Sequence, residues 1–491
     1  MKHCKLIVRD AVNVRFEGLD VSVRKRMSEA LKFIVPEARH TPQYKLGRWD
    51  GTVSFCSPAG STFLNLLDRL LPILNEEKID IELDDRRPLY DFRLSMPDEN
   101  IFAQFNWPPG HTQAGEPIVL RDYQLAAIRT FIAELQSTQI ISTGAGKTIL
   151  TAALSHMIEH YGRSIIVVPN KSLVNQTEKD YRNVGLDVGV FYGDRKEYGH
   201  KHTICTWQSL GMFSKRGGRK GKKQEVLPYS IMDFIDGVVC VIIDEVHQAK
   251  APVLKSLLTG PFAHVPIRWG MTGTMPKAEH EALAILASIG PIVGELRAAE
   301  LQEKGVLANC HVEIFQINDT DMEFPDYPSE HKYLVTDATR LQYIADNINE
   351  WSKDGNTLVL VDRIPTGKAL QKLLIGASFV YGETKGNVRN DEYMSIQTAT
   401  GKVIIATYGV AAVGINIPRI FNIVLLEAGK SFVRVIQSIG RGLRKTQDKE
   451  KVTIYDLCSS LKFSKRHLTK RKEYYREAEY PFSVRKVQLQ P

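Results

Sequence analysis

The chain has 491 residues, 43% of them hydrophobic and 24% charged, with a formal net charge of +8. That length suits about three domains, and the composition sets aside collagen-like, low-complexity and largely disordered classes. No apolar run reaches the ~18 residues of a membrane span, and six scattered cysteines without a C-x-x-C pair argue against a disulfide framework or a metal site.

Taken in order, residues 1–12 carry Arg9 and Asp10 and no long apolar core, so no secretory leader is expected. Residues 5–8 and 13–16 read as short strands. Residues 23–34 read as a helix, with apolar positions near the 3.6-residue period. Within 40–55, Asp50-Gly51 signals a hairpin turn between two strand-like runs. Residues 61–75 form the next helix candidate. These elements make a small α+β domain over 1–108, closed by the break Trp107-Pro108-Pro109-Gly110.

The texture changes at Leu120. Val/Ile/Leu-rich runs at 164–168, 238–243, 357–361, 403–406, 423–426 and 452–455 alternate with helix-forming segments. Such runs mark parallel sheets buried on both faces. They fall into two α/β domains in tandem, 111–298 and 305–491, with ligands expected at the carboxyl ends of the strands. Residues 214–223 hold six positive charges and no negative one. They are either a solvated insert or a contact to a phosphate backbone. Residues 462–476 are basic, contain Tyr474 and Tyr475, and read as a helix lying against the second domain.

The chemistry begins where an apolar strand end, Ile140-Ile141, runs through Ser142 into Thr143-Gly144-Ala145-Gly146-Lys147-Thr148 and then a helix. Glycines let backbone N–H groups close around an anion, and the helix N-terminus adds its positive dipole end. Lys147 can reach terminal phosphates and the Thr148 hydroxyl can hold Mg²⁺. The full pattern has Gly or Ala where this chain has Ile141. Downstream, the strand 238–243 delivers Asp244 and Glu245 at its carboxyl end. Phosphoryl transfer to water needs such a pair, Asp244 for Mg²⁺ and Glu245 for the attacking water. A guanine-reading role for Asn170-Lys171 is rejected, because Leu173 stands where Asp is required.

Together these segments resemble superfamily 2 helicases of the DExH type, over both α/β domains and with the motifs in the family's order. Residues 120–124 look like the adenine-reading Q motif, with Gln124 as reader. Motif Ia resembles the stretch with Pro169, Asn170 and Lys171, and motif Ic the stretch with Thr206 and Gln208. Both imply nucleic-acid contacts. Asp244 to His247 is the DExH motif, and Thr272-Gly273-Thr274 is motif III. His247, Thr272 and Thr274 are thereby implied in coupling nucleotide state to strand grip. In the second domain, motif V contains Thr407, a nucleic-acid contact by resemblance, and Gly414, a nucleotide contact; Asn416 stands where the family often has Asp. Gln437, Arg441 and Arg444 belong to motif VI, and the two arginines are implied to face the γ-phosphate. The resemblance thus implies two tandem RecA-like parallel-sheet domains.

Residues 42–51, which include Lys45, Arg48 and Trp49, resemble the N-terminal domain of the phage UvsW-type helicases. The motor motifs imply ATP and Mg²⁺ as cofactors, and the N-terminal resemblance implies branched or forked duplex DNA, R-loops among the candidates, as the partner. Lys45 and Arg48 suit phosphates, and Trp49 suits stacking on a base or a place in the core. A monomer in the cytoplasm (of the host, if phage-encoded) is expected, with single-strand-binding or recombination proteins as possible partners. An RNA helicase, an ATP-switched annealing or clamp protein, and the motor subunit of a restriction or remodelling complex are the alternatives.

Overall fold

The computed structural model describes residues 2–489 apart from 37, 110, 112, 214–228, 319–321, 385–387, 389–390, 394, 397–398, 413–418, 430, 432–434, 437–438, 441, 444 and 446–447. The N-terminal region holds β1 (Lys2–Val8), β2 (Asn13–Glu17), β3 (Lys32–Ile34), β4 (Thr52–Ser54), β5 (Ser61–Phe63) and β6 (Ile79–Asp85). Four of them form a sheet in the order β5-β2-β1-β6, and β3 pairs with β4. Helices Val21–Ala30 and Leu67–Glu76 turn Val23, Met27, Leu70 and Leu74 inward at i, i+4 spacing onto Leu6, Val14 and Phe16.

Three local expectations change here. The helix expected to reach residue 34 stops at Ala30, because Lys32–Ile34 is recruited as the antiparallel partner of Thr52–Ser54. Asp50-Gly51 does turn the chain, with Gly51 at φ +78° and the Asp50 carboxylate accepting the Thr52 N–H at 3.0 Å. The segment before it is the short helix Pro42–Lys45, however, so the turn joins no hairpin. The helix expected over 61–75 begins as β5 and becomes α-helical only at Leu67.

After the small pair β7 (Phe102–Asn106) and β8 (Pro117–Ile118) come β9 (Gln136–Ile141), β10 (Arg163–Val168), β11 (Val188–Tyr192), β12 (Arg195–Lys196), β13 (His202–Thr206), β14 (Val238–Asp244), β15 (Ile267–Thr272) and β16 (Ile292–Leu296). Their order is β12-β11-β13-β10-β14-β15-β9-β16. Pairings from β11 through β9 are parallel. The third sheet contains β17 (Asn309–Asn318), β18 (Thr357–Val361), β19 (Ser378–Val380), β20 (Val403–Thr407), β21 (Asn422–Leu426), β22 (Lys451–Ser459) and β23 (Phe482–Gln488). Its order is β19-β20-β18-β21-β22-β17-β23, with every pairing parallel.

The chain divides into two compact units: Met1–Ile140 with Lys147–Glu295, and Ile141–Gly146 with Leu296–Pro491. Within the first, the N-terminal sheet and the helix Glu279–Ser288 share one core, where Leu283, Ala284 and Ala287 pack with Leu66 and Leu70. The Ala11 N–H donates to Ala263 O at 2.9 Å, and Asn13 Nδ2 to Thr259 O at 2.9 Å. Within the second, the basic helix Lys462–Glu477 buries Leu468, Tyr474 and Tyr475. Among the described residues no helix is long and apolar enough to cross a membrane.

Candidate nucleotide site and motor motifs

Parallel strands with buried, Val/Ile-rich interiors end in register on one side of the second sheet, and the candidate residues follow those ends. Val168 lies opposite Thr206, Val167 opposite Ile243, Asp244 opposite Met271, and Thr272 opposite Ile140. β9 leads into the loop Ser142 to Gly146, where Gly144 and Gly146 adopt φ +90° and +82°. Only glycine takes both without strain. The helix Lys147–Ile158 follows directly.

Around Glu245 a compact network forms. Its backbone is left-handed, with φ +55° and ψ +53°, at the point where β14 breaks into a 3₁₀ turn. A non-glycine residue in that region is strained, and such strain concentrates at functional sites. The Glu245 carboxylate sits 3.5 Å from Lys147 Nζ, accepts the Thr272 hydroxyl at 3.1 Å, and lies 3.3 Å from His247 Nδ1. His247 Nδ1 is also 3.0 Å from Thr272 Oγ1, which accepts the Thr274 N–H at 3.2 Å. The Glu245 N–H donates to Asp244 Oδ1 at 3.0 Å. Burial works to raise the Glu245 carboxyl, but Lys147, His247 and Thr272 together hold it below the ordinary carboxylate range. Asp244 goes the other way. Burial lifts it, the neighbouring Glu245 charge adds to this, and Lys147 opposes it. Glu245 is thus held ionised by its partners, while burial and the Glu245 charge push Asp244 the opposite way.

Lys147, Thr148, Thr151 and Asp244 line one small cavity at these strand ends. Hydroxyl and carboxylate oxygens suit Mg²⁺, and the lysine ammonium suits the phosphate such an ion would accompany. Among the described residues no three His, Cys, Asp or Glu side chains cluster as a metal cage. An ion held by Thr148 and Asp244 would therefore take its other ligands from phosphate and water, as suits Mg²⁺. The residues fit a magnesium nucleotide.

The remaining candidates are placed as follows. Gln124 is buried, and its Oε1 accepts the Arg121 N–H at 2.9 Å, capping its own helix. Asn170 caps the helix Lys171–Asn183 by accepting the Leu173 N–H at 3.1 Å. Pro169 precedes it, and Lys171 is exposed with its ammonium 6.0 Å from the Tyr192 ring centre. Thr206 is buried and caps the short helix after β13, while Gln208 is exposed. Thr407 ends β20. Lys45 and Arg48 are exposed. Trp49 is half-buried and outside the N-terminal core, with its indole N–H donated to Thr52 O at 2.7 Å. Gly414, Gln437, Arg441, Arg444 and the basic stretch 214–223 lie outside the described residues. Sequence reading missed a contact that supports the site: Trp207 Nε1 donates to Gln248 Oε1 at 3.0 Å, tying motif Ic to the turn after the DExH residues. Nothing in the residue pattern signals that pair.

The chain is similar to known helicases over both parallel-sheet regions. Residues 117–277 match the family "Type III restriction enzyme, res subunit", and residues 339–446 match "Helicase conserved C-terminal domain". The chain is 23% identical over 513 residues to the ATP-dependent DNA helicase uvsW of Enterobacteria phage T4, covering 96% of this chain and 93% of that protein. It is 25% identical to the DNA 3'-5' helicase XPB of Mycobacterium tuberculosis, over 74% of this chain and 65% of that one. In fold it is similar to the ATP-dependent Type ISP restriction-modification enzyme LlaBIII bound to DNA, with TM-score 0.56 and 14% identity, covering 84% of this chain and 34% of that one. The two family matches fall in turn on the two parallel-sheet regions, which are tandem RecA-like domains behind a small α+β N-terminal one. The chain therefore belongs to the superfamily 2 DExH helicases, resembles the UvsW type, and is an ATP-dependent helicase.

Proposed function

We propose that this helicase works on DNA and remodels branched structures: branch migration of Holliday junctions, regression of forks and unwinding of R-loops, in phage recombination, repair or replication. The observation that carries this reading is the reach of the T4 similarity, 96% of the chain and so into the N-terminal sheet, whereas the mycobacterial similarity spans 74%.

In this reading Lys147 binds the terminal phosphates, and Thr148 with Asp244 would hold Mg²⁺, which when bound would supply positive charge to the phosphoryl group. Lys147 now faces Glu245. A phosphate that draws the lysine away leaves the Glu245 carboxylate held by Thr272 and His247, oriented to accept a proton from water. Arg441 and Arg444 supply the opposing charge, with Gln437 of the same motif as a further catalytic residue, and such arginine fingers are worth about 10³–10⁵ in rate. Gln124, Thr143, Ala145 and Gly414 complete the nucleotide contacts. Pro169, Asn170, Lys171, Thr206, Gln208 and Thr407 lie along the strand. Lys45 and Arg48 take duplex phosphates, and Trp49, its donor already used, offers ring area for stacking.

The test is unwinding measured side by side on a fork, a Holliday junction, an R-loop and a simple duplex, with ATPase stimulation by duplex DNA, single-stranded DNA and RNA. Preference for branched substrates is expected. Stimulation by RNA alone would sink the DNA reading. Normal ATP binding without strand displacement would favour an annealing clamp.

A further inference from the structure

The N-terminal sheet ends in a strand that is built to have a neighbour. In the order β5-β2-β1-β6, β6 has β1 on one side and no strand on the other. It runs for seven residues in unbroken parallel register with β1, from Ile79 opposite Lys2 to Asp85 opposite Val8. Among the described residues, the main chain of 80–85 makes no backbone hydrogen bond outside that pairing. Edge strands are ordinarily blunted by shortness, proline, a bulge or a charge turned inward. β6 reads Ile-Asp-Ile-Glu-Leu-Asp-Asp, and the charge on its apolar face, Asp85, comes only at its last residue.

Its two faces differ. Ile81 and Leu83 stand opposite Cys4 and Leu6, which are buried in the N-terminal core. Residues opposite one another share a face of the sheet. Yet Ile81 is 38% and Leu83 63% exposed, so the cover over β1 stops short of them. On the other face, charge alternates in sign from strand to strand. Glu17 lies opposite Lys5, and Lys5 opposite Glu82. The Lys5 ammonium is 3.6 Å from Glu82 and 3.2 Å from Asp84, and His3 is 3.7 Å from Asp80. Each of these cations sits on the β1 side. A further strand would meet the outermost column of the sheet, which is Asp80, Glu82 and Asp84. Opposite charges across a strand pair stabilise it and like charges destabilise it. A second copy of β6 with its faces matched would set carboxylate against carboxylate, and a phosphate backbone would be repelled in the same way.

We propose that the free edge of β6 is a docking site for an extended segment of a partner protein, added to the sheet as a further strand, in which aliphatic residues alternate with Lys or Arg. In this mode main-chain hydrogen bonds give affinity and alternate side chains give selectivity. The aliphatic residues cover Ile81 and Leu83, and the cations meet Asp80, Glu82 and Asp84.

The experiment titrates full-length protein into a fluorescent, capped peptide of alternating Lys and Val, as long as β6, and reads anisotropy at low and physiological salt. An alternating Glu and Val peptide, and a peptide with the same Lys and Val content in two blocks, serve as comparisons. Leu83→Lys and Glu82→Lys are the variants. Both side chains are exposed, so Tm and ATP hydrolysis should match wild type. The alternating Lys–Val peptide should bind wild type saturably and each variant about 10-fold more weakly, and both comparison peptides should bind wild type more weakly as well. If one variant melts lower than wild type, the other decides. No saturable binding to wild type, or equal binding to a folded variant, overturns the proposal. Equal binding of the block peptide reduces the effect to unspecific charge attraction and overturns it too. Sedimentation covers the remaining occupant: a wild-type dimer that Leu83→Lys dissociates would assign the edge to a second copy and refute the basic partner.

Discussion

Thr272→Val tests the Glu245 network most directly. Thr272 is fully buried at the end of a strand flanked on both sides, so valine preserves its shape and packing. The substitution removes a hydroxyl that touches Glu245 Oε2 at 3.1 Å and His247 Nδ1 at 3.0 Å and satisfies the Thr274 N–H. Stranding that buried N–H costs about 1–3 kcal/mol of stability, a few degrees in Tm. The catalytic effect is separate. A hydrogen bond to an ionised group is worth about 1.5–3 kcal/mol, and each ~1.4 kcal/mol of transition-state stabilisation is tenfold in rate. If the bond orients Glu245 for water activation, kcat at saturating ATP falls about 10- to 150-fold while KM for ATP stays near wild type. Phosphate release under steady-state conditions, paired with thermal melting, reads both effects. Thr272→Ser keeps the hydroxyl and should restore most of the rate. A folded Thr272→Val protein with wild-type kcat would show that the network is scaffolding and that Glu245 is oriented by something else.

Four further outcomes are expected. Lys147→Ala abolishes hydrolysis and leaves DNA binding, read by fluorescence anisotropy, mostly intact; it also lowers Tm, because Glu245 loses its nearest cation. Arg48→Ala weakens DNA binding across sequences and reduces the slope of log K against log salt by about 1. Deleting 215–223 flattens the same slope further if that stretch contacts the backbone, and an unchanged slope makes it a passive insert. Glu178 pairs with Arg195 at 2.7 Å, and the guanidinium holds its carboxyl below the usual range against the effect of burial. A depressed folded-state pKa contributes stability above the unfolded value of ~4.3 and loses it as pH falls. Glu178→Gln therefore melts lower than wild type at neutral pH, and the gap begins to close below the unfolded value of ~4.3 and vanishes only below the depressed folded-state value.

The motor was readable because its chemistry sits at the ends of strands with plain apolar interiors. β14 is Val-Val-Cys-Val-Ile-Ile before Asp244, and β10 and β18 are as simple. The central strand β15 was not readable as a strand. Its Arg268 and Trp269 look like surface residues, yet both are fully buried. Arg268 is satisfied by the carbonyls of Ser288, Phe262 and Leu258 at 2.6–2.8 Å, partners that no local pattern announces. β13, with His202 between Ser164 and Glu159, was hidden in the same way. In the N-terminal region the errors share a cause. A three-residue strand such as Lys32–Ile34 is decided by its partner twenty residues on, and periodicity read along one segment cannot see the partner. Lys147, Asp244 and Glu245 were legible from the residue pattern, and His247, Thr272 and Thr274 through the family resemblance; that they form one network became visible only in three dimensions.

The helix Glu279–Ser288 begins seven residues after Thr272 and carries Leu283, Ala284 and Ala287 into the core of the N-terminal sheet. The Pro-rich break near residue 108 is thus a seam in the chain but not in the packing. A motor trimmed to start there would present that apolar face to water and invite self-association. For anyone building a minimal version of this enzyme, or grafting its front end onto another motor, the transferable piece is the N-terminal sheet together with the helix behind motif III. A recombinant exchanging one without the other should inherit an unfinished surface rather than a new specificity.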